Sequence, residues 1–200
     1  MKGQYQGSVW TSEYQKRGLP QLHLLQFLRP QDRDRLPDPA VVDRLISAEM
    51  PRPVSDPDGR LTEVGRKMMV HGPCGVYNPS ALCMVSSRPP TCSKVFLKAF
   101  CEMTIVREDG YPEYRRHDFL QNFTVGSALL DNRWIVPHNP YLSRKYNAHI
   151  NVEVYPSVRT VKYIHKYIYK GTDTALLFSL PPTMTRSIST CRATRAMLAP

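Results

Sequence analysis

The sequence predicts an α+β fold in which helices flank a central antiparallel sheet that carries an irregular, cysteine-bearing insertion. Residues that alternate between apolar and polar are typical of strands, and apolar residues at helical spacing predict the helices. Asp38 and Pro39 are typical of a helix start, and Asp109-Gly110 is typical of a hairpin turn. The predicted strands are 8–13, 22–28, 102–109, 111–119, 132–136 and 148–155, and the first two are expected to pair. The predicted helices are 39–50, 61–70 and 156–171.

Size and charge limit the classes of function. The 200 residues suit one domain, and the net charge of +10 indicates a polyanionic partner, with nucleic acid ahead of an acidic membrane surface. The alternative is a basic protein without such a ligand. No apolar run approaches the ~20 residues of a membrane span, and the N-terminus has no apolar signal core, so we expect neither a transmembrane segment nor secretion. Five cysteines, an odd number, fit a reducing compartment.

Two tyrosines share one face of the helix predicted at 156–171. Tyr163 and Tyr167 are four residues apart, on the side opposite an aliphatic stripe. The basic residues that flank them, and that we expect to contact nucleic acid, are Arg159, Lys166 and Lys170. A phenol beside cations and a metal ion can attack a phosphodiester. The alternative is that both rings pack at the helix edge with wet hydroxyls.

The cysteine-bearing insertion contains a possible zinc site. Its spacing is H-x2-C-x8-C-x8-C, formed by His71, Cys74, Cys83 and Cys92. Thiolates and an imidazole suit tetrahedral Zn²⁺, and an irregular segment is stabilised by such a metal. The alternative is a set of reduced, buried cysteines with an exposed histidine.

A second possible metal site lies on the strand predicted at 22–28 and the residues before it. Gln21 and His23 are two residues apart and therefore share one face of a strand. Glu153 shares a face of another predicted strand with His149 and Asn151. Its carboxylate is a candidate third ligand for a metal ion bound by Gln21 and His23. The alternative for His149, Asn151 and Glu153 is an ordinary polar sheet face.

Several blocks of sequence resemble, in order, the helicase-like N-terminal domain of Helitron transposases, a Rep-type HUH endonuclease module. The blocks are EYQKRGLPQLHLLQFL, MMVHGPCG, NPSALCM, CSKVFLKAF, DGYPEYRR and LDNRWIVPHNPYLSRKYNAHINVEVYPSVRTVKYIHKYIYKG. The resemblance covers residues 8–173, as an incomplete and divergent domain. Residues 174–200 do not follow the family and are expected to be a disordered or anomalous tail.

The resemblance implies a rolling-circle initiator that nicks single-stranded DNA. In the family, a His-hydrophobic-His strand holds Mg²⁺ or Mn²⁺, and paired tyrosines form 5′-phosphotyrosine links. Tyr163 and Tyr167 match the tyrosine pair, and His23 matches the second histidine. The resemblance also implies a nuclear location. The chain has no G-x-x-x-x-G-K-[ST] stretch, so we expect no nucleotide and no helicase motor in it.

Gln21 departs from the family because it stands where the first metal-binding histidine is expected. An amide oxygen is an uncharged and weaker ligand than imidazole. We therefore expect cleavage to be weakened or lost. The alternatives are a non-catalytic module that binds single-stranded DNA and a non-functional transposon relic.

Overall fold

The computed structural model describes residues 5–14, 20–107, 112–120, 122–154, 175–178 and 194–199. Nine strands occur in these ranges: β1 Tyr5–Tyr14, β2 Pro20–Leu28, β3 Met84–Val85, β4 Thr91–Cys92, β5 Phe123–Val125, β6 Ala128–Leu130, β7 Ile150–Val154, β8 Ala175–Phe178 and β9 Thr194–Ala199. The α-helices are α1 Pro30–Arg33, α2 Pro39–Leu45, α3 Arg60–Met68 and α4 Pro140–Tyr146. The mixed helix and strand class predicted from the sequence is confirmed.

The largest sheet has five strands in the order β7-β9-β2-β1-β8. The predicted pairing of the first two strands is confirmed, because β1 and β2 are antiparallel, with Thr11 opposite His23 and Glu13 opposite Gln21. β8 is antiparallel to β1, whereas β9 is parallel to both β2 and β7, so the sheet is mixed rather than wholly antiparallel. β8 and β9 belong to the tail for which the sequence predicted disorder or an anomalous segment.

Local sequence signals explain the first long helices. Asp38 Oδ1 accepts the N–H of Ala40 at 2.9 Å, and Pro39 occupies the first turn of α2, as predicted. Helix α3 covers most of the predicted 61–70 segment. Buried Asp56 precedes α3 and accepts the N–H groups of Leu61 and Thr62 at 3.2 and 2.7 Å. The side chain of Asp56, four residues before the first residue of α3, therefore replaces the usual capping side chain.

Several predicted elements differ in the structure. The helix predicted at 39–50 ends at Leu45. Residues 132–136 are not a strand, because Asn132–Trp134 forms a 3₁₀ turn after Asp131 Oδ1 accepts the N–H of Arg133 at 2.9 Å. The predicted hairpin around 109–110 has no long strands in its described part. Its two sides meet instead at isolated antiparallel bridges, Ile105 to Glu113 and Cys101 to Arg116. The turn itself and the helix predicted at 156–171 lie outside the described residues.

Within the part of the chain that the structure describes, two apolar clusters form the core. The first packs on one face of β7 through Ile150, Val152 and Val154, together with Val42 and Ile46 from the α2 region. The second lies beneath the cysteine-bearing segment and includes Cys74, Trp134 and Ile135, joined by the β5–β6 hairpin residues Phe123, Ala128 and Leu130. Cys74 therefore belongs both to the core and to the possible metal site.

Candidate metal centre and polar sheet face

The four residues of the predicted zinc motif come together in space. One ligand atom from each of His71, Cys74, Cys83 and Cys92 lies within 4.8 Å of the other three. In a tetrahedral zinc site the sulfur atoms are about 3.8 Å apart, because each Zn–S bond is about 2.3 Å long. A contraction of about 1 Å or less would therefore bring the group to metal-binding distance. The cluster could hold a metal ion.

Backbone pairing brings the ligands together across the segment. The N–H of His71 donates to the carbonyl of Trp134 at 2.9 Å, which ties the first ligand to the second apolar cluster. Cys92 ends β4 opposite Met84 of β3, next to Cys83, and the N–H of Ser93 donates to the carbonyl of Cys83 at 2.7 Å. The short β3–β4 pair thus presents two thiols from neighbouring chain segments to one point.

The thiols influence one another electrostatically. Burial, followed by hydrogen bonding and negative charge from Cys83 and Cys92, raises the pKa of Cys74 to about 12. Burial opposes ionisation of Cys92, but the backbone N–H groups of Phe96 and Lys94 outweigh it and lower the pKa of that thiol. The N–H of Lys94 lies 3.4 Å from the Cys92 sulfur. The lowered pKa favours the thiolate form of Cys92. The raised pKa keeps Cys74 protonated unless a bound cation stabilises its thiolate.

His71 faces the cluster as a neutral imidazole. Its Nε2 lies 3.3 Å from the sulfur of Cys92, and its ring stacks on Phe96 with centroids 4.1 Å apart. Burial, with positive charge from Lys94 and Lys98, lowers the pKa of His71. A neutral imidazole is the form that binds metal ions, so these surroundings favour coordination.

A polar face on the five-stranded sheet carries the second predicted site. Gln21 and His23 share this face of β2, and their partners on β1 are Glu13 and Thr11. Glu13 Oε1 lies 3.3 Å from His23 Nε2, with the glutamate side chain 22% exposed and the histidine 4% exposed. Glu13 is not among the metal ligands predicted from the sequence. The antiparallel register places it there, and the predicted pairing of 8–13 with 22–28 was the only signal for it.

Glu153, the predicted third ligand, lies farther along the same sheet. The register through β9 places Asn151 level with His23 and Glu153 level with Leu25. β2 and β7 are about 10 Å apart, since neighbouring strands are separated by about 4.8 Å. The side chain of Asn151 donates to Glu153 at 3.0 Å. Glu13 is therefore the nearer carboxylate to His23, and a metal role for Glu153 stays a prediction.

The predicted nucleophiles and their basic neighbours lie outside the described residues. These residues are Tyr163, Tyr167, Arg159, Lys166 and Lys170. Their roles and their position relative to His23 stay predictions.

A comparison with models of known protein families and a comparison with curated proteins found no match to this chain. Among the described residues, no helix has both the length and the apolar character needed to cross a membrane. Fold and site together define a mixed helix and strand protein with a His/Cys cluster that could hold a metal ion.

Proposed function

We propose that His71, Cys74, Cys83 and Cys92 bind one structural Zn²⁺ ion. The convergence of three sulfurs and one imidazole nitrogen supports this proposal. Soft thiolates with an imidazole select zinc over Mg²⁺ or Mn²⁺, which prefer oxygen ligands. Four protein ligands leave no open position for substrate, so the ion stabilises the fold and does not take part in a reaction.

Zinc content of the purified protein tests this proposal. We expect about one Zn²⁺ per chain in the wild type and less than about a tenth of that in Cys83→Ser. Cys101→Ser is the matched control, because the Cys101 thiol donates to the carbonyl of Met103 at 2.7 Å and is not one of the four ligands. Equal zinc in both variants, or none in the wild type, would rule out the site.

We propose that the chain acts on single-stranded DNA, as a divergent domain of the Helitron rolling-circle transposase type. The observation that carries the proposal is the alignment of Gln21, His23 and Glu13 on adjacent strands, at the position where the resemblance expects a metal site. Tyr163 and Tyr167 are the proposed nucleophiles, and Mg²⁺ or Mn²⁺ is the proposed catalytic ion. The basic net charge of +10 supports a nucleic-acid partner, and the nucleus is the proposed location.

The cleavage proposal is tested with labelled single-stranded DNA and Mn²⁺, followed by a search for a protein–DNA adduct that survives denaturant. We expect little or no adduct with the wild type, and about tenfold more or better with Gln21→His, because a lost ligand is restored. Gln26→His is the matched control. It places the same new imidazole on β2 but on the opposite face of the sheet.

The outcomes separate the candidate functions. Loss of the Gln21→His adduct on mutation of both tyrosines to Phe would support them as the nucleophiles. DNA binding without an adduct in Gln21→His would favour the non-catalytic binding module. A chain that neither binds single-stranded DNA at low salt nor unfolds cooperatively would contradict the proposal and favour a transposon relic.

A further inference from the structure

The cysteine-bearing segment has a one-sided charge. Residues 69–101, after the end of α3, contain three Lys or Arg and no Asp or Glu. Two of the three, Lys94 and Lys98, follow the last metal-ligand candidate, Cys92, and neither forms a salt bridge with another described residue. The segment therefore presents positive charge that the described part of the chain does not balance by direct ion pairing.

Aromatic rings alternate with these cations along the chain. The cationic–aromatic strip consists of Lys94, Phe96, Lys98, Phe100 and Arg133. The Lys98 ammonium lies 5.5 Å from the centre of the Phe96 ring, and the Arg133 guanidinium lies 4.7 Å from that of Phe100. The N–H of Lys98 donates to the carbonyl of Arg133 at 3.3 Å, so the two halves of the strip are joined by backbone.

Several side chains in and between the residues of the strip are exposed to solvent. Phe96, Lys98 and Phe100 are half-buried, whereas Lys94 is exposed. Val95 and Leu97, which lie between them, are 71% and 42% exposed. Cations beside aromatic rings are the two components of surfaces that bind single-stranded nucleic acid. Here the rings are half-buried, and the groups exposed between the cations are the aliphatic Val95 and Leu97. A duplex surface would not require the apolar component, because paired bases are not available for stacking.

One residue of the strip is influenced by a charge on the polar sheet face. Burial, followed by the positive charge of Arg116, lowers the pKa of Lys98, and the negative charge of Glu153 partly opposes that shift. Glu153 lies on the face of the sheet that also carries Gln21 and His23.

We propose that the cationic–aromatic strip is a single-stranded DNA-binding surface, with Lys94 and Lys98 contacting phosphates and the apolar groups between them contacting bases. This inference rests on the proposed action on single-stranded DNA and names the surface that binds it. A purely structural role for the lysines is the competing explanation. A zinc ion with three thiolates and one neutral imidazole carries a net charge of about −1, which nearby lysines would balance.

The test is fluorescence anisotropy of zinc-loaded protein with a labelled oligo-dT across a salt series. Each lysine–phosphate contact to a single strand contributes about 0.7 to the slope of log affinity against log salt. We expect the double variant Lys94→Gln/Lys98→Gln to reduce the slope by about 1.4 and the affinity at 0.1 M salt by about 25-fold. The matched control, Arg66→Gln/Lys67→Gln in and near the last turn of α3, changes net charge equally and should lose less than about twofold.

The results distinguish DNA binding by the strip from a purely structural role of its lysines. Equal losses in the two double variants, or an unchanged slope in the strip variant, would overturn the inference. If the strip variant loses zinc but keeps the wild-type slope, the lysines only balance the metal cluster. A wild-type protein that binds no oligo-dT overturns the proposed function together with the strip. A strip variant that still forms the adduct in the Gln21→His background, with unchanged DNA affinity, overturns the strip alone.

Discussion

Arg116 joins three parts of the molecule through one buried guanidinium. Its Nη1 donates to the carbonyls of Ala48, Asn132 and Ile135 at 3.1, 2.8 and 2.7 Å, and the residue is 3% exposed. Burial lowers the pKa of Arg116 to about 10, which leaves it charged at neutral pH. The side chain thereby satisfies backbone acceptors of the 3₁₀ turn that replaced the predicted strand at 132–136.

Replacement of Arg116 by Met should destabilise the fold. The variant leaves the carbonyls of Ala48 and Ile135 without their side-chain donor, whereas the carbonyl of Asn132 still accepts the N–H of Ile135 at 3.1 Å. We expect a loss of about 2–4 kcal/mol in the free energy of unfolding. Urea denaturation of zinc-loaded protein measures it. Arg107→Met is the control, because the Arg107 side chain is 58% exposed in a surface ion pair and its loss should cost less than about 1 kcal/mol. Equal effects would contradict the anchoring role of Arg116.

His138 makes stability depend on pH. Burial, aided by the positive charge of Arg116 and by His149 and opposed by a hydrogen bond to the Val136 carbonyl, lowers the pKa of His138 to about 4. The ordinary value is about 6.5, so between pH 6.5 and about 4 the unfolded chain binds a proton that the folded chain does not. Stability from this group is present above pH 6.5 and is lost as the pH falls toward 4.

The contribution of His138 is measured as a difference between two proteins. Over that pH interval, wild-type stability should fall faster than that of His138→Gln by up to about 1.4 kcal/mol per pH unit. Because both proteins share the same carboxylates and thiols, the other titrations cancel. Parallel pH profiles from urea denaturation would contradict a neutral, buried His138.

At the scale of elements, the cysteine-bearing segment has little regular structure of its own. Between the end of α3 and residue 101, the only described strands are the two-residue β3 and β4. The segment packs on the second apolar cluster through Cys74 and, at its edges, Cys83 and Met84. Backbone hydrogen bonds join the segment to Trp134, Arg133 and Arg116, and a metal held by its four converging ligands would add order between these attachments.

Metal removal should loosen this segment first. After treatment with a chelator, we expect limited trypsin digestion to cut after Lys94 and Lys98 at least about tenfold faster, because that stretch loses its anchor at Cys92. Lys67 is an internal control, since it lies within α3 and pairs with Glu63 at 2.5 Å. Cleavage rates that do not depend on metal, or equal acceleration at Lys67, would contradict a local metal-dependent order.

Across the fold, the features predicted from sequence are those with local causes. The β1–β2 pair follows from alternation, α2 from Asp38 and Pro39, and the His/Cys cluster from its spacing. Local patterns did not indicate the 3₁₀ turn at Asn132–Trp134, because an apolar run of that length also fits a strand. They also missed helix α4, although Asn139 and Pro140 are typical of a helix start.

The proximity of Glu13 to His23 could not be read from either segment alone. It depends on the register of β1 against β2, and a shift of one residue would turn Glu13 to the other face. The distance between Glu153 and His23 likewise depends on the strand order of the sheet, which the strand pattern around Glu153 does not indicate. The strand that separates β7 from β2 is β9, which comes from a part of the chain where the sequence predicted no element.

Zinc K-edge X-ray absorption of the purified protein tests the His/Cys₃ zinc site. We expect one zinc environment with three sulfur ligands at about 2.3 Å and one nitrogen ligand at about 2.0 Å. Cys101→Ser should leave that spectrum unchanged, since its thiol is not one of the four ligands. A first shell of nitrogen and oxygen only, or a protein that contains no zinc after purification in zinc-supplemented medium, would contradict the claim.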